Sequence, residues 1–592
     1  MMSLQGTPRR QRQRDRRAED LLPGIEIENG AHDNLIGGRT TADRNLISGN
    51  DHNGVLLRGN TTLNNRIEGN IVGSNRIGTG ALPNRYVGIE LFEGAHHNTV
   101  GGTASGAGNV VSANNYEGIR LNGTGVANNT IQGNTVGLDA TGNGSLGNGF
   151  FDVPTHQFAP GIGIYGGASF NRVGGTSTGA RNVISANAAY GVAVSGNGTD
   201  WNVVEGNVIG LDATGTVSLG NGFADPPNFW LFSGVAVYGM ARNNLIGGTV
   251  PGARNYICAS GSSGVLIADS GTDQNRVEGN TIGLTPKGTM AGNSYQGVSI
   301  FGGAKNNVIG GTAPGAGNRI TRNGGNGISL FDAITLGNQF RRNSIRTNAG
   351  NGIGLYSGSN NAQAAPTLAT AVLGPVGNAN GTNVSGNLVS LAGSTFVLEF
   401  FATPAGDPSE GRHYLGTTNV TTNGTGFGSF STNLTTAVPP AHLITATATS
   451  LAGNSSGFST SRTVTTTDTD SDGLPDAFES LYSANTTAVV ATADSDGDGY
   501  SNIAEFRAGT SPLSVASHPG PARLTRNGTG FTLVFPTVAG RVYRIDESTD
   551  LGRTDPWEVL LEPIVGTGSD VSIQIPDVTG QARWFFQTTA LP

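Results

Sequence analysis

Two short marks recur through roughly the first 360 residues at spacings that leave the fold little freedom. The first, Asn-x-(Val/Ile)-Gly-Gly, begins at Asn34, Asn98, Asn171, Asn244 and Asn307. The second begins at Asn65 (NRIEGN), Asn129 (NTIQGN), Asn202 (NVVEGN), Asn275 (NRVEGN) and, in worn form, Asn338 (NQFRRN). The step from first mark to second is 31 residues all five times, and the return steps are 33, 42, 42 and 32. Between the marks lie short β-branched runs that alternate inward and outward, a strand pattern and not a helical one. Gly and Asn at fixed offsets supply the positive-φ corners. A unit of this size cannot bury its own apolar face, so it must stack on copies of itself. Equivalent asparagines, Asn34 to Asn307 among them, are then expected to align in hydrogen-bonded ladders. Ten coils stacked at ~4.8 Å imply a rod about 50 Å long.

Composition excludes the rivals. Glycine supplies 94 of 592 residues, charged residues only 13%, and the lysines are just Lys287 and Lys305. That rules out a helical bundle, and no apolar run approaches the ~18 residues of a membrane span. Six arginines in residues 1–20 give a basic, disordered head (1–23) of net +3, against −11 for the remainder and −8 overall. This balance argues against nucleic acid as a partner. No apolar stretch follows those arginines as in a secretory leader. The lone Cys258 excludes an intrachain disulfide framework and reads as a buried, inert thiol.

Over residues 24–361 the repeat resembles the right-handed parallel β-helix domains of large secreted or surface-displayed bacterial proteins. Residues 366–465 change to Thr- and Ser-rich alternating runs, such as FVLEFF from Phe396 and LITATAT from Leu443. They resemble the bacterial Ig-like sandwiches that follow such β-helices. Residues 517–592, with VYRI from Val542, read as a further small sandwich. The expected fold is therefore mainly β: a right-handed parallel β-helix, an Ig-like β-sandwich, a small calcium-binding EF-hand-loop segment (466–516) and a C-terminal β-sandwich.

The calcium expectation rests on DTDSDGLPDAFE from Asp468 and DSDGDGYSNIAE from Asp494, both D-x-D-x-D-G-x5-E. Calcium takes six to eight oxygens, and this spacing wraps them around one point. The first set is Asp468, Asp470, Asp472, the Leu474 carbonyl, Asp476 (through water or directly) and Glu479. The second is Asp494, Asp496, Asp498, the Tyr500 carbonyl, Asn502 (likewise) and Glu505. Residues 468–507 carry net charge −8, which repels itself without a cation. The segment resembles the thrombospondin type 3 and dockerin-like calcium repeats. A whole sandwich separates it from the repeats, so chelation is expected to loosen it and leave the β-helix folded.

Two readings concern the β-helix surface. The 42-residue steps hold matched insertions, GNGFFDVPTHQFAPG from Gly147 and GNGFADPPNFWLFSG from Gly220. They present Phe150, Phe151, His156, Phe158, Phe223, Phe229, Trp230 and Phe232, which suit stacking on sugar rings; equally, these loops pack on each other. The rival is a polysaccharide lyase, epimerase or hydrolase of the pectate lyase-like class. Its candidate residues are Glu26, Glu90 and Arg120 with Tyr86 and Tyr116, and His96, His97 and His156 as bases; alternatively Glu90 and Arg120 form an exposed ion pair. No catalytic residue is assigned. The sequence thus points to a modular extracellular or cell-surface calcium-binding protein whose β-helix is a scaffold or polysaccharide-contacting rod. Its export signal is expected upstream of a fragment.

Overall fold

The computed structural model describes residues 22–149, 159–224, 230–376, 379–408, 410–518, 520–527, 530–538, 542–548, 551, 553, 558–576 and 585–590. Each coil of the repeat contributes one strand to each of three sheets, as with Ile119–Asn122, Thr130–Gln132 and Thr135–Val136. The sheets hold 11, 10 and 10 strands, each strand beside its counterparts from the neighbouring coils. The pairing is parallel, so the chain winds as a parallel β-helix. In the first sheet Ile89, Ile119, Ile162, Val192 and Val235 share one register row. Leu91, Leu121, Ile164, Val194 and Val237 share the next inward row, and all ten are fully buried. Each such side chain contributes about 1.5–3 kcal/mol by leaving water.

The corners are held by asparagine. Asn34, Asn65, Asn98, Asn129, Asn171, Asn202, Asn244, Asn275 and Asn307 form one ladder, each Nδ2 donating to the next Oδ1 at 2.8–3.2 Å. The same Oδ1 atoms accept the backbone N–H of the previous rung. The second amide hydrogen goes to a carbonyl, such as that of Thr62 for Asn98 or Ala95 for Asn129. Both donors and both acceptor sites are thereby used, which is what a buried carboxamide requires. A second ladder runs from Asn45 through Asn70, Asn109, Asn134, Asn182, Asn207 and Asn255 to Asn280. A third links Asn50, Asn84, Asn114, Asn148, Asn187 and Asn221, and Ser260 takes the following rung.

The ladder also explains why two marks alternate. Both lie in one row, so one coil carries the Gly-Gly pair and the next carries Glu or Gln. A Cβ on Gly37, at φ 85°, would sit 2.1 Å from the Glu68 carbonyl oxygen, so no side chain fits there. The Glu68 carboxylate in turn lies over Gly102, where an added Cβ would already be 3.5 Å from Oε1. Glu68, Glu205 and Glu278 are buried on this outer row and pair with Arg66 and Arg39, Arg172, and Arg276 respectively.

The chain divides into two compact units, Met1–Asn307 with Thr321–Asn326, and Val308–Ile320 with Gly327–Pro592. In the second unit, the last coil abandons the pattern. Arg341 stands in register with Gly310, and its Nε donates to buried Glu399 at 2.9 Å. The other Glu399 oxygen accepts the Arg342 N–H at 3.1 Å. Neighbouring N–H groups of Gly337, Phe340 and Ile345 donate to Asn454 Oδ1, Ser455 Oγ and the Gly411 carbonyl. The worn mark NQFRRN is thus the seat of the following domain, which covers an edge that would otherwise be unpaired.

That domain comprises two antiparallel sheets: Thr367–Val376, Ala379–Val389 and Phe427–Leu434, against His413–Thr421, Thr395–Thr403, Leu443–Ser450 and Arg462–Thr463. Phe396, Phe400, Leu398 and Ile444 fill the space between them. Leu474, Phe478, Val489, Ala491 and Phe506 of the acidic segment belong to the same core. The acidic segment and the sandwich therefore share one apolar interior. Two further three-stranded sheets follow, packed on Ile545, Leu561 and Phe535. Residues 1–21 of the basic head lie outside the described residues.

Two substitutions test this architecture. Asn171→Ala removes the acceptor of two Asn129 N–H groups, so it should destabilise by at least about 2 kcal/mol in chemical denaturation, whereas exposed Asn143→Ala should change little. Equal effects would refute the ladder account. Ile309, fully buried, should not tolerate Asp, whose unpaired charge should cost several kcal/mol, on the order of 4.

Candidate functional site

The two acidic loops are built alike. Within each, three carboxylates converge, those of Asp468, Asp470 and Asp472 and those of Asp494, Asp496 and Asp498, with oxygens within 4.8 Å of one another. Asp468 accepts the N–H groups of Ser471 and Gly473, and Asp494 those of Gly497, Asp498 and Gly499, which folds each loop around its first acid. Gly473 and Gly499 take φ values of 100° and 96°, a left-handed turn that glycine alone adopts freely. Asp476 accepts the Thr469 N–H and hydroxyl, and Asn502 Oδ1 accepts the Ser495 N–H, so both ninth positions close their loops. Leu474 and Tyr500 donate their N–H groups to Asp472 and Asp498.

The twelfth positions are the unusual ones. Glu479 and Glu505 are fully buried, and none of their four carboxylate oxygens has a hydrogen-bond partner. Burial, with Asp470, Asp472, Asp476 and Asp468 around it, pushes Glu479 up to about 7. Glu505 is likewise pushed up to about 7 by burial and by Asp496, Asp498 and Asp494. An unpaired buried carboxylate facing three others is unfavourable by itself, and a divalent cation at their focus removes the conflict. The donor set, all oxygen, fits a hard cation such as calcium. The helices Asp476–Glu479 and Asn502–Ala508 carry these glutamates, anchored by Phe478 and Phe506, whose rings meet at 5.0 Å. Tyr482 and Ile503 pack beside them, whereas Leu481 is exposed.

On the β-helix, the insertion residues Phe150, Phe151, His156, Phe158 and Phe229 lie outside the described residues. Phe223 and Trp230 fall in the antiparallel strands Phe223–Ala224 and Trp230–Leu231. Phe232 meets Tyr190 edge-on at 5.1 Å, and Tyr190 lies 5.8 Å from Tyr238. Tyr165, Ser195 and Tyr238 share a register row of the first sheet.

Glu90 and Arg120 are adjacent in register, as expected, but their pair is buried and not exposed. Arg120 Nε and Nη2 reach Glu90 Oε1 at 2.8 Å, Nη1 lies 3.5 Å from Glu117, and the guanidinium covers the Tyr86 ring at 4.5 Å. Asn53 donates to the second Glu90 oxygen at 2.7 Å, and Tyr116 lies 4.6 Å from Tyr86. Ring and amide together exclude the water an exposed pair would have. Glu26 does not join this group; Leu56 separates it from Glu90, and it pairs with Arg58. His96 and His97 contact each other at a different corner, and His156 is not described. Arg120, held between two carboxylates, has no charge left over to neutralise a uronate.

Sequence reading passed over one feature. The residue before each rung of the first ladder has positive φ: Asp33, Asn64, His97, Asn128, Phe170, Trp201, Asn243, Gln274 and Asn306. Short polar side chains tolerate this region, whereas bulky ones are disfavoured by roughly 1–2 kcal/mol. Phe170 and Trp201, on successive coils, nonetheless occupy it, 57% and 53% exposed, with ring planes 5° apart and centroids 6.4 Å apart. Aligning the nine preceding residues would have exposed the exception.

Residues 494–514 match the bacterial TSP3 repeat. No curated protein matches the chain. Among solved structures, the tailspike protein gp49 from Acinetobacter baumannii bacteriophage Fri1, a capsular polysaccharide depolymerase, is similar at 7% identity and a TM-score of 0.17, over 70% of this chain and 69% of that one. No helix among the described residues is long and apolar enough to cross a membrane.

The Arg120 group yields a pH-dependent prediction. Burial holds Glu117 above its ordinary 4.5, with Arg120 opposing and Glu90 adding to the rise. Its contribution to stability is therefore full below that value and lost as pH rises through the folded value. Arg120→Ala, which leaves two buried carboxylates uncompensated, should cost about 3–5 kcal/mol near neutral pH. Denaturation at about pH 4 should show a much smaller deficit than at about pH 8; a deficit independent of pH would contradict this.

Proposed function

We propose that this chain is a modular, calcium-binding extracellular or cell-surface protein whose β-helix is a stiff scaffold and polysaccharide-contacting rod. The observation that carries the calcium reading is the pair of buried, unpartnered glutamates, Glu479 and Glu505, each closing a cluster of three aspartates. In this reading Asp468, Asp470, Asp472, the Leu474 carbonyl, Asp476 and Glu479 hold one ion. Asp494, Asp496, Asp498, the Tyr500 carbonyl, Asn502 and Glu505 hold the other. The match of the second loop to the TSP3 repeat supports it. Bound calcium supplies the positive charge that lets both glutamates stay ionised inside the fold.

The three-plus-four arrangement of the sandwich supports an Ig-like module. Polysaccharide contact is supported by the aromatic group of Phe232, Tyr190 and Tyr238: polysaccharide segments would stack on Phe150, Phe151, Phe158, Phe223, Phe229, Trp230 and Phe232, with His156 beside them. The closed pairing of Arg120 with Glu90 and Glu117 favours a scaffold over a lyase or epimerase at that place.

Calorimetry of the full chain should show two calcium ions bound. Asp468→Ala with Asp494→Ala should abolish uptake. Because Phe478 and Phe506 belong to the sandwich core, chelation should lower the melting temperature of the sandwich too, and leave the β-helix transition in place. Absence of calcium uptake by the wild-type protein would overturn the reading.

A further inference from the structure

We propose that Phe170 and Trp201 form a sugar-stacking platform for a neutral polysaccharide on one corner of the β-helix. The proposal deepens, and rests on, the polysaccharide-contacting reading, but it places the contact on residues outside both insertions. Three observations converge on it.

The first is conformational. The ladder imposes a left-handed backbone at this position on every coil, because the N–H there reaches a carbonyl of the next coil, as Phe170 does to Asp200 and Trp201 to Arg242. Seven other coils answer with Asp, Asn, His or Gln, and only these two with aromatics. Strain at a non-glycine left-handed position points to a use for the side chain.

The second is exposure. Both residues are more than half exposed, although 36% of the chain is hydrophobic and much of that lies in the core. The rings stack parallel to within 5°, with centroids 6.4 Å apart, on consecutive coils, so the β-helix itself fixes their mutual orientation. Sugar rings carry an apolar C–H face that stacks on such surfaces.

The third is the setting. Exposed Asn128 precedes Phe170 in the row, His97 precedes Asn128, and Asn243 follows Trp201, which supplies hydrogen-bonding side chains along the same line for hydroxyl groups. Two rings fall far short of the ~800 Å² a stable protein partner covers. Nearby Arg172 is committed to Glu205, and exposed Arg242 donates Nε to the Gly271 carbonyl; one such arginine does not make the cationic groove that single-stranded nucleic acid needs. A neutral glycan needs neither a large area nor a charge.

The test is affinity electrophoresis in gels containing dextran, xylan, galactomannan or laminarin, with alginate and single-stranded DNA as charged comparators. The test protein is Phe170→Asn with Trp201→Asn, which installs the residue the neighbouring coils use and so relieves strain. Wild type should be retarded by at least one neutral polysaccharide. The double variant should bind it about tenfold more weakly, two lost stacking contacts, while its melting temperature stays equal or rises. Phe170→Tyr with Trp201→Phe, which keeps the rings, should retain most of the retardation. Unchanged retardation in the Asn variant overturns the platform, and if Phe151→Ala with Trp230→Ala then abolishes binding, the broader reading survives without it. A marked fall in melting temperature makes the rings packing residues and overturns the proposal. Retardation by DNA alone does the same. Wild type running free in every polysaccharide gel removes both readings together.

Discussion

The side-chain amide of asparagine, repeated rung on rung, is the interaction on which this structure depends. Strands of only two to four residues cannot hold a coil by themselves, and each corner leaves backbone N–H groups pointing along the stack. A carboxamide offers two donors and two acceptor sites, the number a corner needs. Aligned in register, each amide satisfies the coil before it and is satisfied by the coil after. The glycines follow from this, since corners drawn so close leave no room for a Cβ, as at Gly37. The alternation of Gly-Gly with Glu follows in part, because a Cβ on Gly37 would meet the Glu68 carbonyl oxygen of the next coil at 2.1 Å.

A stack held this way has to end somewhere, and the second compact unit shows how. Arg341 reverses the charge of the glutamate row and meets Glu399, while Asn454 and Ser455 take the place of another coil. The domain that covers this last coil also lends its core to the acidic loops, through Leu474, Phe478 and Phe506. The charge balance of those loops is thereby tied to the packing of the sandwich. Glu479 and Glu505 are the immediate chain neighbours of the core aromatics Phe478 and Phe506.

Much of this was legible in the amino-acid sequence because it is periodic. The 31-residue step, the asparagines and the inward Val and Ile positions follow from repetition, and the two acidic loops from their fixed spacing. Relations between unlike segments were not. Nothing local in NQFRRN reveals that Arg341 faces Glu399, 58 residues on. The burial of Glu90 and Arg120 depends on the Tyr86 ring and on Asn53 from the preceding coil, so an exposed pair was the natural expectation. Phe170 and Trp201 escaped notice because their oddity lies in a backbone angle, visible only once the register is known.

Hydrogen–deuterium exchange resolved to individual peptides tests the ladder account most directly. The backbone amides of Asn65, Asn98, Asn129, Asn171, Asn202, Asn244 and Asn275 should exchange only through global unfolding, as slowly as the strand amides of Ile119 or Val192. Corner amides that exchange as fast as surface loops, beside protected strands, would show that the strands hold the coils alone and would contradict the account.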